Sequence, residues 1–307
     1  MSPRTQGYFF VLVTMCIWGG FTLFARLNAQ WHISAWDIAA LRFAIAFLIL
    51  MPILIYKKDL AFLWSKHAVI LALIGGVIYC LTVYTAFLYA PAAHAAHAAI
   101  FLNGCIPICT AIAAYILFRQ PFDKHTWVSL AIMITALALM SALMLQSSTS
   151  AFGIGDLLLF ISAIWWGIFT VLLKQWKLSA WHSMASVAIW SAIIYLPIYL
   201  LFLPKHFTDV DPLHLAVQSI FHGVFVVIIA TLTYVAAIQR LGAFKTGSIV
   251  TLAPFIAAIL AVPLLGESLS PSIVVGLVGM GIGALQPWRW FRQDSLTQKI
   301  KQQNTRN

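Results

Sequence analysis

The chain has 307 residues, of which 62% are hydrophobic and only 8% charged, with a mean hydropathy of +0.95. A water-soluble domain carries about 25% charged residues, so this composition excludes one, and the lack of period-two alternation excludes a membrane β-barrel. The net charge of +10 then concerns the two sides of a membrane, and no nucleic-acid partner is expected.

Apolar runs long enough to cross a bilayer, about 20 residues each, fall near 8–27, 36–56, 68–89, 95–118, 126–145, 153–173, 181–203, 214–239, 244–265 and 272–290. They predict an all-α integral membrane protein of ten transmembrane helices. The first run ends in Ala25-Arg26-Leu27-Asn28, a poor match to a small-residue cleavage site, so it reads as a retained span and not a removed signal peptide. It carries Trp18-Gly19 and, one turn on, Thr22. Arg42 lies about two turns into the second span. It is expected to be structural, pairing with Asp37 or a helix end, or snorkelling outward.

The third span contains Tyr79 and Tyr84. The fourth opens on His94-Ala95-Ala96-His97-Ala98-Ala99 and continues through Phe101, Asn103 and Pro107. His94 and His97 share a helix face. They read either as a substrate or proton site, since histidine titrates near physiological pH, or as polar residues at the membrane interface. Cys16, Cys80, Cys105 and Cys109 all lie inside spans, which implies no disulfide framework. Cys105 and Cys109 lack a second ligand pair, so no metal site is expected there.

In the second half, Asp156 stands one turn inside the sixth span, followed by Trp165 and Trp166-Gly167. His222 lies about two turns into the eighth span, too deep for a simple interfacial role; it is read as a cavity residue or a packed hydrogen-bonding one. Tyr234, Lys245, Pro254 and Glu267 follow. Lys245 reads as a topology determinant before a gate charge. Gly279 and Gly283 form a small-residue face on the tenth span, suited to close packing within a monomer or in a homodimer. The tail after Trp290 is polar and basic, as suits an anionic lipid face or a topology signal.

The chain repeats itself. Trp18 recurs as Trp166, Tyr84 as Tyr234, Pro107 as Pro254 and Gln120 as Glu267, at offsets of 148, 150, 147 and 147 residues. Residues 1–145 and 146–290 are thus two five-helix repeats, with 291–307 a cytoplasmic tail. Five is odd, so the second repeat enters from the opposite side and the pair is inverted. With both termini cytoplasmic, 15 of the 18 basic residues fall on the inner side and two outside, which fixes the expected orientation.

Together with Leu41-Arg42-Phe43 and the Ala90-Pro91-Ala92-Ala93 turn, these motifs make the chain resemble the drug/metabolite transporter superfamily, specifically its EamA-type ten-helix branch. The resemblance covers about residues 5–290. It departs at Arg119-Gln120, where the family pattern usually has Gly-Glu, and at His94 and His97, where small residues are usual. The resemblance implies an inner-membrane carrier, commonly an exporter of amino acids, other metabolites or toxic compounds. It also implies a central cavity lined by helices 1, 3, 4, 6, 8 and 9.

The expected function is therefore secondary transport of small organic solutes by alternating access, with no cofactor and no catalytic residue. The partners expected are the solute and the lipid bilayer. Residues expected to bind substrate are Trp18, Thr22, Tyr79, Tyr84, His94, His97, Phe101, Asn103, Trp166, His222 and Tyr234. His222, His97 and Asp156 are the candidates for carrying protons, since none of the eight acids sits at a span centre. A metal-ion carrier and a membrane-embedded enzyme are the alternatives; the sequence lacks H-E-x-x-H, G-x-S-x-G and Walker A motifs.

Overall fold

A computed structural model describes residues 2–89, 95–146, 153–207, 210–266 and 269–286. His94, Glu267, Trp288, Trp290 and the tail from 291 lie outside these, as does the side chain of His97. Helices follow in the order α1 (Pro3–Gln30), α2 (Ala35–Tyr56), α3 (Lys66–Tyr89), α4 (Ala95–Phe118) and α5 (Lys124–Gln146). The second half gives α6 (Ile154–Trp176), α7 (Ala180–Phe202), α8 (Pro212–Leu241), α9 (in two pieces, Ala243–Val250 and Ala253–Leu265) and α10 (Pro271–Leu285).

Among the described residues, nine helices are long and apolar enough to span a bilayer, and the tenth is shorter. At 15 residues α10 falls below the about 20 of a full crossing. Within the described part of the run read as 272–290, α10 reaches Leu285 and Gln286 caps it in a left-handed conformation at φ 50°.

Polar residues set the helix starts. Ser34, Ser65, Ser179 and Ser270 each accept a backbone N–H from the first turn of the helix they precede, and Asp211 does so ahead of Pro212. Gly242, at φ 90°, lets the chain turn directly from α8 into α9. The two repeat prolines act differently. Pro107 stays inside a continuous α4, whereas α9 is interrupted at Thr251-Leu252, just before Pro254.

The main helix pairings all join one half to the other. Helix α1 packs on α8 and α9, α6 packs on α3 and α4, α2 on α7, and α5 on α10. Exchanging the halves maps this set onto itself, so the duplication in sequence is a duplication in packing. The Trp-Gly motif is part of the reason. A side chain at Gly19 would meet Ile256 of α9 at 2.7 Å, and one at Gly167 would meet the backbone of Cys109 and Thr110 on α4 at 2.8 Å. Ile256 and Cys109 are themselves 147 residues apart, the offset of the prolines. In lipid, where there is no hydrophobic drive between helices, such close backbone approach holds them together.

Helices α3 and α8 share a second irregularity. Ala72–Ile78 and Phe221–Ala230 wind as π-helix, at corresponding places in the two repeats. Such widened turns are frequent at functional sites.

Candidate functional site

Four helices send rings to the centre: Trp18 and Phe21 from α1, Tyr79 and Tyr84 from α3, Trp166 and Phe169 from α6, His222 and Tyr234 from α8. Trp18 lies edge-on to Trp166 at 5.1 Å between centroids and tilted to Tyr234 at 4.9 Å. Tyr79 and Phe169 flank Trp166 at 4.5 and 4.9 Å. A separate group joins Phe21 to Tyr84 at 5.8 Å and to His222 at 5.5 Å. The repeated tryptophans therefore meet each other across the halves, next to the glycines that bring their helices together.

Beside these rings lies a cavity of about 30 Å³, lined among others by Trp18, Phe21, Arg42, Tyr79, Asn103, Trp166 and Phe169. That is room for water-sized molecules and far below the roughly 300 Å³ of the smallest ordinary ligand pockets. A larger hollow of about 520 Å³ lies between α5 and α10, but Ala131, Ile132, Val274, Val278 and their neighbours give it no titratable side chain.

A line of polar groups crosses the seam between the halves. Arg42 Nη1 donates to the Tyr84 hydroxyl at 3.2 Å and to Cys80 Sγ at 3.7 Å. Tyr84 Oη lies 2.7 Å from His222 Nδ1. The hydroxyl accepts from Arg42 and shares one proton with Nδ1, so the tautomer of His222 sets which of the two donates. Nε2 is buried without a partner. Arg42 thus sits at the cavity, 5% exposed, and the expectation of an outward or Asp37-bound arginine is corrected. Asp37 is instead occupied by the Ser34 and Tyr199 hydroxyls and the backbone N–H of His206.

The second half lacks this line. Tyr234 Oη bonds Thr170 Oγ1 at 2.8 Å, within its own repeat. Thr22, the counterpart of Thr170, bonds the carbonyl of Gly19 at 3.4 Å and leaves Tyr84 to His222. Sequence reading singled out Trp18, Tyr79, Tyr84, Asn103, Trp166, His222 and Tyr234, and the structure gathers these at or around the cavity. Asn103 lines it while donating to the carbonyl of Ala99 at 2.9 Å. Thr22 and Phe101 are buried but are not among its lining residues. Asp156 is remote: it caps α6, accepting the N–H of Gly153 at 3.1 Å. Arg42, Phe21 and Phe169 were not singled out as site residues, because the side to which a residue points is hidden in helices apolar all round.

Among the described residues, no three of His, Cys, Asp or Glu group as metal ligands. The model of the EamA-like transporter family matches residues 5–142 and 153–286. An uncharacterized transporter of Clostridium kluyveri is 22% identical over 290 residues, 91% of this chain and 92% of that protein. A solved crystal structure superposes with a TM-score of 0.68 at 17% identity, covering 92% of this chain and 96% of the other, a likeness of fold.

Proposed function

The chain belongs to the EamA-like transporter family, and from that premise we propose that it is a secondary carrier exporting small organic metabolites by alternating access. Membership makes it a multi-pass membrane transporter of small molecules. Export, the inner membrane, the inverted arrangement of the repeats and cytoplasmic termini are the finer reading. The charge bias supports the orientation: 15 of 18 basic residues lie on one side when helices alternate in direction.

One observation carries the proposal: a small cavity walled by aromatic residues from both halves. Rocking one half against the other would widen such a site toward one side and then the other. Stacked rings suit solutes with an aromatic or amphipathic body. His222, the only one of the three proton candidates that is hydrogen-bonded in this site among the described residues, is the proposed point of coupling to protons.

The test is a solute-protection screen in cells lacking or overproducing the protein, followed by efflux from proteoliposomes without ATP. A solute that is both tolerated better on overproduction and moved by the pure protein supports the reading. Solute hydrolysis with no flux overturns it. Replacing His222 by Gln should change the pH dependence of efflux; an unchanged profile removes histidine from the coupling and leaves facilitated export.

A further inference from the structure

Arg42 is a permanent cation buried beside the central cavity, and among the described residues no acid is hydrogen-bonded to it. Its hydrogen-bond partners, a phenol hydroxyl and a thiol, are neutral. Its Nε is buried and has no partner. The faces of Phe43 and Tyr84, 5.4 and 5.7 Å from the guanidinium carbon, offset part of the cost of burial. They do not neutralise the charge, and leaving a buried charge unpaired costs several kcal/mol, roughly. Among the described residues, no acid lines the cavity. Of the five described acids, Asp37, Asp123, Asp156 and Asp211 serve helix starts, and Asp59 meets His182.

We propose that the counter-anion is the carboxylate of the transported solute, and that the site selects aromatic carboxylates lacking an ammonium group. This rests on the carrier reading and adds the substrate class. A guanidinium presents paired donors that match a carboxylate's two oxygens, and Arg42 lines the same cavity as Trp18, Tyr79 and Trp166, whose rings suit an aromatic body. Tyr84 and His222 are positioning residues: their hydrogen bonds hold the guanidinium at the cavity wall across the seam of the halves. The selectivity follows from what surrounds the charge. A carboxylate gains a buried cation, a zwitterion brings an ammonium into the field of Arg42 with no acid to receive it, and a cation meets repulsion alone. The cavity must widen to admit such a solute, as alternating access requires.

A matched series reads this directly: 3-phenylpropionate, phenylalanine and phenethylamine share a phenyl ring and differ in the charge they carry. Efflux from proteoliposomes and thermal stabilisation of the full-length protein in detergent are measured for each. The anion should be moved and should stabilise the protein at concentrations at least about tenfold lower than phenylalanine, with phenethylamine inert. Arg42→Gln should lose about tenfold or more of the response to 3-phenylpropionate, and Arg42→Lys should keep part of it. The wild-type order needs no variant, so a misfolded Arg42→Gln leaves the test intact. Phenylalanine or phenethylamine moved as well as the anion overturns the assignment. So does a failure of all three, and the carrier reading falls with it only when the broad solute screen also yields no flux.

Discussion

Tyr84 and Tyr234 hold equivalent places in the two repeats, yet their hydroxyls have different partners. Tyr84 stands between Arg42 and His222, while Tyr234 bonds Thr170. Removing the hydroxyl from each measures that difference. Tyr84→Phe leaves a guanidinium N–H and a ring nitrogen buried without a partner, at a cost of about 1–3 kcal/mol or more because one of them is charged. Tyr234→Phe strands one threonine hydroxyl, which can still bond the carbonyl of Trp166 at 2.8 Å, so it should cost about 1 kcal/mol or less. Thermal unfolding in detergent should rank Tyr84→Phe clearly below Tyr234→Phe. Equal midpoints would mean that the polar line carries no stabilisation.

Helices pack through their small residues, and the repeated Trp-Gly motif divides its tasks between neighbours: the tryptophan faces the centre and the glycine admits the adjacent helix. Gly167→Ala would press a Cβ against the backbone of Cys109 and Thr110, which cannot rotate away, so it should destabilise by about 1–3 kcal/mol. Gly247→Ala meets nothing within 4 Å and has an ordinary helical backbone, so it should be neutral or stabilise by up to about 1 kcal/mol. Melting of the two variants beside wild type checks the sign of each. At this scale the helices themselves were legible, because apolar runs of spanning length can hardly be anything else. Their irregularities were not. Nothing in Ala72–Ile78 marks a π turn, and Pro254 interrupts α9 although Pro107, its counterpart, leaves α4 continuous.

The whole molecule is two like halves packed mainly on each other, and this too could be read in the spacing of Trp18, Tyr84 and Pro107 from their counterparts. Direction could not: a helix apolar all round gives no clue to which residues face inward. The spacing therefore places Thr22 beside Trp18 although it bonds its own helix, and gives Arg42 a structural role although it lines the cavity. His222 and Arg42 have no polar counterpart at the corresponding positions of the other repeat, and they mark where this carrier departs from its own symmetry. The central claim is that solute is carried by a site between the halves that opens to one side at a time. Trans-stimulation tests it most directly: uptake of labelled solute into proteoliposomes, without ATP, with or without unlabelled solute inside. Saturable uptake that internal solute accelerates several-fold is the predicted result, with Trp18→Ala raising the half-saturating concentration by about tenfold, the size of one lost aromatic contact. Uptake that is non-saturable and indifferent to internal solute would contradict a carrier and point to a pore.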